Sequence, residues 1–417
     1  MYLKNIKINN FRNYDNFKLD FYKNINIIYG NNGQGKTNLL ESIYLLGLTK
    51  SHRSYIDNNI IQNNKEYLKI NGNICIDKFN TNLEIYINKN NKILKIDKKE
   101  IKKVSDYISK MHVILFTPDD LELIKGSPSE RRKFLNLELS QLNKDYYLIL
   151  NNYNKILKMR NNYLKKNNID ESYLDILTNY LIDKAILIYK LRKKFIDRLN
   201  ENVKDIYKNL TDLDNFNLIY LPDIKIKKYE NDEIKKTLLK EFKKQKNKEI
   251  KYQTTLIGPQ RDEIEIYIDK ENIKLYGSQG QQRMAILAIK LGELEIFKKY
   301  TNNYPILLLD DVFSELDRKK KNNLLKYINN DIQVIITTTD LVTISKKLLN
   351  NAKLIKIENG KIKKITEVKW YGKRITTLWC IWYSSFRRIR SSKKKTRYVY
   401  WYNWCKRFTS FSMGNSW

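Results

Sequence analysis

The string Gly30-Asn31-Asn32-Gly33-Gln34-Gly35-Lys36-Thr37 fits G-x-x-x-x-G-K-[ST], the spacing of a phosphate-binding loop. Chemistry at a triphosphate needs backbone N–H groups turned inward, a cation on the β- and γ-oxygens and a hydroxyl on Mg²⁺. The glycines serve the first need, Lys36 the second and Thr37 the third. The apolar run Ile25 to Tyr29 precedes the loop and reads as a buried strand, and Leu39 to Leu46 follows it and reads as a helix. That order also places a helix dipole behind the phosphates.

Two further motifs bear on the same chemistry. Ile306-Leu307-Leu308-Leu309-Asp310-Asp311 is an apolar run ending in two acids, the pattern of a Walker B strand. Asp310 is expected to join Thr37 in holding Mg²⁺, and Asp311 to orient or deprotonate an attacking water. Both carboxylates are expected at the strand's exposed end, because an uncompensated buried charge costs too much. About 30 residues earlier, Ser278-Gln279-Gly280-Gln281-Gln282 opens a helix, with Ser278 suited to the N-cap and Gly280 to close backbone approach. A helix N-terminus beside a serine hydroxyl is a second anion site. The expected catalytic set is therefore Lys36, Asp310, Asp311, Ser278 and Gln281, with Gly30 to Thr37 and Gly280 binding the nucleotide. Loop, insertion, S-x-G-Q, Walker B and then Ser314-Glu315-Leu316-Asp317 is the order of an ABC-type ATPase head, in which two heads sandwich two ATP molecules.

The elements that must position these residues fall into four stretches. Residues 1–118 read as the first part of an α/β lobe, with strand-like runs at Ile6–Asn9, Phe17–Phe21, Tyr67–Ile76, Leu83–Ile87, Ile93–Ile96 and Val113–Phe116. Residues 119–255 change texture: Glu130 to Lys165 and Ser172 to Leu210 almost lack Gly and Pro and repeat apolar residues at helical steps. Helices of under about 40 residues reach at most about 60 Å, too short for a long coiled coil. From residue 256 to 366 the α/β texture returns, with Ile264–Ile268 alternating like a strand, a helix at Gln279–Tyr300 and buried strands at Ile306–Leu309 and Val334–Ile336. The fold class is thus α/β, a split ATPase lobe carrying an inserted helical second lobe.

The fourth stretch, residues 367–417, stands apart. It holds all six tryptophans, twelve Lys or Arg and one acid, with no clear period. A basic, aromatic tail could stack on nucleic-acid bases. Out-of-frame translation is the preferred explanation. Ser392 to Trp401 can be encoded as AGT AAG AAA AAG ACC AGG TAT GTA TAT TGG. Without the first base this reads VRKRPGMYI, which resembles the opening of a DNA gyrase B subunit. The tail is expected to be disordered.

Bulk composition narrows the setting. The chain has 417 residues, a formal net charge of +33, three cysteines and two histidines. The charge points to a polyanion, nucleic acid first, although AT-rich codons also favour lysine. Cys75, Cys380 and Cys405 give neither a disulfide framework nor a zinc spacing. No run approaches the roughly 20 apolar residues of a membrane span. The expected home is the cytoplasm, on the nucleoid.

The motifs together resemble the RecF family over residues 1 to about 366. The strings that carry the likeness are Phe11-Arg12-Asn13-Tyr14, the phosphate loop, Lys50-Ser51-His52-Arg53, Phe116 to Leu121, Gly126-Ser127-Pro128, Arg131-Arg132, Gly258-Pro259-Gln260-Arg261-Asp262, Ser278 to Gln282 and Leu309 to Asp317. The resemblance implies an ABC/SMC-like head that uses ATP and Mg²⁺, dimerises with ATP on double-stranded or gapped DNA, and hydrolyses slowly to release it. It also implies partnership with RecR, and through RecO with RecA loading. Arg53, Arg131, Arg132 and Arg261 are the candidate DNA contacts, because guanidinium forks onto phosphate; each could equally serve a structural ion pair. The family string G-P-H-R-D here carries Gln260, which keeps hydrogen bonding but not acid–base chemistry. Thr337-Thr338-Thr339 stand where ABC transporters carry a switch histidine, so phosphate sensing is expected to use hydroxyls. The rival readings are an SMC or double-strand-break ATPase head, an ABC transporter subunit and a DNA-binding scaffold without turnover.

Overall fold

A computed structural model describes residues 1–367 apart from Tyr55, Glu315, Asn329, Asn330 and Thr343. The basic, aromatic tail therefore lies outside the described residues, as does Glu315 of the string after the Walker B strand.

A six-stranded sheet holds the nucleotide motifs. Its order is Lys361–Glu367, Ala352–Glu358, Ile25–Tyr29, Val334–Thr338, Ile306–Asp310 and Val113–Phe116. The last five run parallel, and only the hairpin strand Lys361–Glu367 is antiparallel. Parallel strands covered on both faces read as unbroken apolar runs, because side chains alternate between two cores. Ile27, Leu307, Leu309, Val334 and Ile336 join one core with the long helices. Their neighbours Ile28, Ile306, Leu308 and Ile335 join the other, with the helix Lys36–Leu48 and a second, antiparallel sheet. That second sheet has the order Tyr14–Asp20, Tyr2–Phe11, Tyr67–Ile76, Phe79–Asn88, Lys92–Ile96, Lys99–Glu100.

The helical part is built from Pro128–Leu142, Lys144–Leu164, Glu171–Thr211 and Asn231–Tyr252. The expected single helix over Glu130–Lys165 is two, because Asn143 leaves the helical region and caps the second by accepting from the N–H groups of Asp145 and Tyr146. The helix Glu171–Thr211 has 41 residues, about 60 Å at the usual rise, and no long coiled coil is present among the described residues. Glu263–Ile268 pairs with Phe216–Leu221 and Glu271–Asn272 in a third, three-stranded sheet. The strands that escaped the sequence reading include Phe216–Leu221, Ala352–Glu358, whose parallel partner Ile25–Tyr29 is distant in the chain, and Lys361–Glu367, which pairs back on Ala352–Glu358 as a hairpin.

Candidate ATP site

Ligands of parallel sheets sit where the strands end at their carboxyl side. Three adjacent strand ends meet here. Ile25–Tyr29 runs into the phosphate loop, Ile306–Asp310 ends in the acids, and Val334–Thr338 lies between them. Register places Thr337 opposite both Ile28 and Asp310. Lys36 opens its helix after Gly35, whose φ of 105° suits glycine, and a Cβ at Gly30 would lie 2.3 Å from the Ile357 carbonyl oxygen. Lys36 Nζ folds over the loop and donates to the carbonyls of Gly30 at 2.8 Å and Asn31 at 2.9 Å. Burial lowers its pKa, against the nearby Asp311 and Asp310. Asn31, Asn32 and Gly33 are exposed at the loop tip.

Asp310 is buried, not at an exposed end as expected, and its charge is compensated. Its Oδ1 accepts from the Thr37 hydroxyl at 3.1 Å and the Thr337 hydroxyl at 2.5 Å. Burial still raises its pKa, with the two threonines opposing. Asp311 follows with a left-handed φ of 52°, and its N–H donates to Thr337 Oγ1 at 3.0 Å. Its Oδ1 is buried with no hydrogen-bond partner. A hydroxyl, a carboxylate and an unsatisfied carboxylate oxygen suit Mg²⁺, a hard ion held by few protein oxygens plus phosphate. Thr37 and Asp310 would hold it, and bound there it would neutralise charge on the phosphates.

Of the threonines expected to sense phosphate, Thr337 donates its hydroxyl to Asp310 and Thr338 donates to the Asp340 carbonyl at 2.9 Å.

A support behind the loop escaped the reading of individual roles. Arg12 grips the fully buried Glu41 with Nε at 3.1 Å and Nη2 at 2.7 Å, and Ser51 Oγ donates to the same carboxylate at 2.6 Å. Burial pushes the Glu41 pKa up, but Arg12 and Ser51 together hold it below the usual value. Tyr14 donates to the Gly35 carbonyl at 3.0 Å, and the hairpin turn at 359–360 donates to Gln34 at 2.6 and 3.1 Å. The string Phe11-Arg12-Asn13-Tyr14 was the available signal. His52 packs edge-on to Tyr44, and burial drops its pKa to about 4.

Ser278 forms a reciprocal cap with Gln281: Gln281 N–H donates to Ser278 Oγ at 3.2 Å, and Ser278 N–H to Gln281 Oε1 at 2.8 Å. Ser278, Gln279 and Gly280 are exposed. Among the described residues no hydrogen bond or ion pair joins this cap to Lys36, Asp310 or Asp311. Asp317 caps the helix Arg318–Tyr327 through the Lys320 N–H.

The four candidate arginines separate. Arg131 is buried, with Nη2 2.7 Å from Glu263 and Nη1 on the carbonyls of Leu123, Ile124 and Gly126, so its guanidinium serves the fold. Arg53 reaches Asn38, next to Thr37, at 3.0 Å and Glu41 at 3.5 Å, which places it beside the nucleotide motifs. Arg132 donates to the Asp262 carbonyl at 2.9 Å, and Arg261 is exposed. Gln260 accepts from Tyr153 and donates to the Ile257 carbonyl at 2.9 Å, keeping the hydrogen bonds expected of it.

Residues 2–363 match the model of the RecF/RecN/SMC N-terminal domain. The chain is 42% identical over 369 residues to the DNA replication and repair protein RecF of Clostridium botulinum (strain 657 / Type Ba4), covering 88% of this chain and all of that one. The RecF of Ligilactobacillus salivarius (strain UCC118) is 38% identical over 369 residues, covering 87% and 97%. The chain belongs to the RecF family of DNA replication and repair proteins. Similar solved structures include the recombination mediator protein RecF-ATP in the RecFOR pathway, at TM-score 0.81 and 33% identity, covering 88% of this chain and 98% of that one. The corresponding RecF-ATPrS structure gives 0.80 and 34%, covering 87% and 97%. An Smc head domain from Pyrococcus furiosus, 15% identical at TM-score 0.51, shares the fold. RecF proteins are ABC/SMC-like ATPases, and the fold here is that head. No helix among the described residues is long and apolar enough to cross a membrane.

Proposed function

We propose that this RecF-family chain is an ATP-dependent DNA-binding recombination mediator with weak, DNA-stimulated ATPase activity, held on the nucleoid in the cytoplasm. The observation that supports it most is the separation of two half-sites. Lys36, Thr37, Asp310 and Asp311 converge at neighbouring strand ends, while the Ser278 cap faces outward without contact to them. A γ-phosphate on Lys36 of one protomer would meet Ser278, Gly280 and Gln281 of a second. Only ATP offers that phosphate, so ATP joins two protomers and hydrolysis parts them.

In this reading residues 1–118 and 256–366 carry the ATPase lobe and 119–255 the helical lobe. Asp311 orients or deprotonates the water, and Mg²⁺ sits between Thr37 and Asp310. The clamped dimer recognises gapped or plain duplex through its backbone, with steep salt dependence. RecR is the direct protein partner, and RecO with RecA loading follows.

The test is sedimentation with ATP. Ser278→Arg should bind ATP as a monomer yet fail to dimerise, since a guanidinium would fill the anion site. Dimerisation by that variant would sink the sandwich. A wild-type chain that binds duplex equally with and without ATP, and shows no turnover, would favour the scaffold instead.

A further inference from the structure

The helix Asn231–Tyr252 carries eight lysines and four acids. Ile234, Leu238 and Phe242, each four residues apart, are buried and fix its roll. Two lysines on one flank are paired: Lys235 lies 3.7 Å from Asp183, and Lys246 lies 3.0 Å from Glu171 and 3.1 Å from Asp175. The face opposite the buried stripe is different. Lys236, Lys240, Lys243, Lys244 and Lys251 follow helical spacing along it, and all five are exposed. None of them has a carboxylate within 4.0 Å among the described residues. The helix Arg318–Tyr327 shows the contrast, because its Lys319 and Lys320 are paired to Asp212 and Asp317.

We infer that this lysine face is a contact surface for the phosphate backbone of duplex DNA. The inference rests on the DNA-binding reading above and adds a place for the partner, away from the arginines considered first. From Lys236 to Lys251 the face spans about 22 Å at helical rise. Duplex DNA presents a charge every ~1.7 Å, so several phosphates face such a stripe at once. Five like charges held on one face repel one another, and an anionic backbone relieves that repulsion. Ammonium groups on flexible stems suit point contacts to phosphate without base readout, which fits recognition by backbone and shape.

The test is duplex binding by fluorescence anisotropy with ATP over a salt series. The quadruple variant K236Q/K240Q/K243Q/K244Q keeps helix propensity and removes four charges. The slope of log affinity against log salt should become shallower by about 0.9 for each lysine that neutralises a phosphate. Affinity at moderate salt should fall about tenfold or more, with ATP turnover in the absence of DNA unchanged. An equal-charge control, K98Q/K99Q/K102Q/K103Q, removes exposed lysines elsewhere and should leave the slope near wild type. Wild-type slope and affinity in the first variant overturn this surface while leaving the DNA reading intact. Equal losses in both variants also overturn it, because diffuse charge then suffices. A wild-type chain that binds no duplex with ATP overturns the parent reading and this surface with it.

Discussion

The Thr337 hydroxyl lies 2.5 Å from Oδ1 of Asp310, the same oxygen that Thr37 reaches at 3.1 Å. Thr337 also accepts from the Asp311 N–H at 3.0 Å. One side chain therefore sets both acids. Thr337→Val removes a hydrogen bond to a charged group, worth about 1.5–3 kcal/mol, and leaves the Asp311 N–H without its acceptor. Turnover should fall by roughly 10- to 100-fold with ATP affinity held within about threefold. Thr337→Ser should restore most of it. A loss confined to ATP affinity would show that the hydroxyl contacts phosphate instead.

Among the described residues Lys36 donates to the carbonyls of Gly30 and Asn31 alone, and burial lowers its pKa. It is held ready for phosphate and contributes little to the fold. Lys36→Met should abolish binding of a fluorescent ATP analogue while keeping a cooperative thermal transition within a few degrees of wild type. Retained nucleotide binding would remove Lys36 from the site.

Arg131 and Arg132 are adjacent in sequence and opposite in role. The buried Arg131 bridges Glu263 and three carbonyls, and removing one partner of a buried pair costs about 3–5 kcal/mol. Arg131→Ala should lose stability of that order in urea, with unchanged DNA affinity per folded molecule. Arg132→Ala, at a half-buried site with one carbonyl partner, should cost much less. Equal stability losses would refute the assignment.

The ATP motifs were legible because each is local. A glycine loop between an apolar strand and a helix, and an apolar strand ending in acids, carry their physics in consecutive residues. Even so, the burial of Asp310 was misjudged, since its compensation comes from Thr337, a residue across the sheet. The strand Ala352–Glu358 was missed for the same reason: its lysines hide a pattern that only the distant partner Ile25–Tyr29 reveals. Ile264–Ile268 was legible as a strand, but its partner Phe216–Leu221 was not, because alternation shows two faces and not the neighbour. Arg131 looked like Arg132 until Glu263 was placed beside it. Non-local pairing is what consecutive residues cannot carry.

The helix that begins at Ser278 is seated by a buried charge cluster, and this makes stability depend on pH. Lys290 lies 3.8 Å from Asp120 and 3.9 Å from Glu293, with Glu138 close by and held by Gln141 at 3.1 Å. Three acids around one lysine leave excess negative charge in a dry site. Burial, with Asp120 adding to it and Lys290 opposing, pushes the Glu138 pKa up to about 7 from an ordinary 4.5. Glu293 is raised as well, first by burial and then by Glu138. Between those two values the folded chain keeps a proton on Glu138 that the unfolded chain has released. Stability therefore falls as pH rises through that window and levels off above it. Each unit of upward shift corresponds to about 1.4 kcal/mol. Glu138→Gln keeps the shape and the Gln141 contact but cannot ionise, so its urea midpoint should change less between pH 5 and about 7.5 than the wild type's. The variant should gain on the wild type as pH increases. Parallel pH profiles for the two proteins would show that Glu138 carries an ordinary pKa and that Lys290 neutralises it fully.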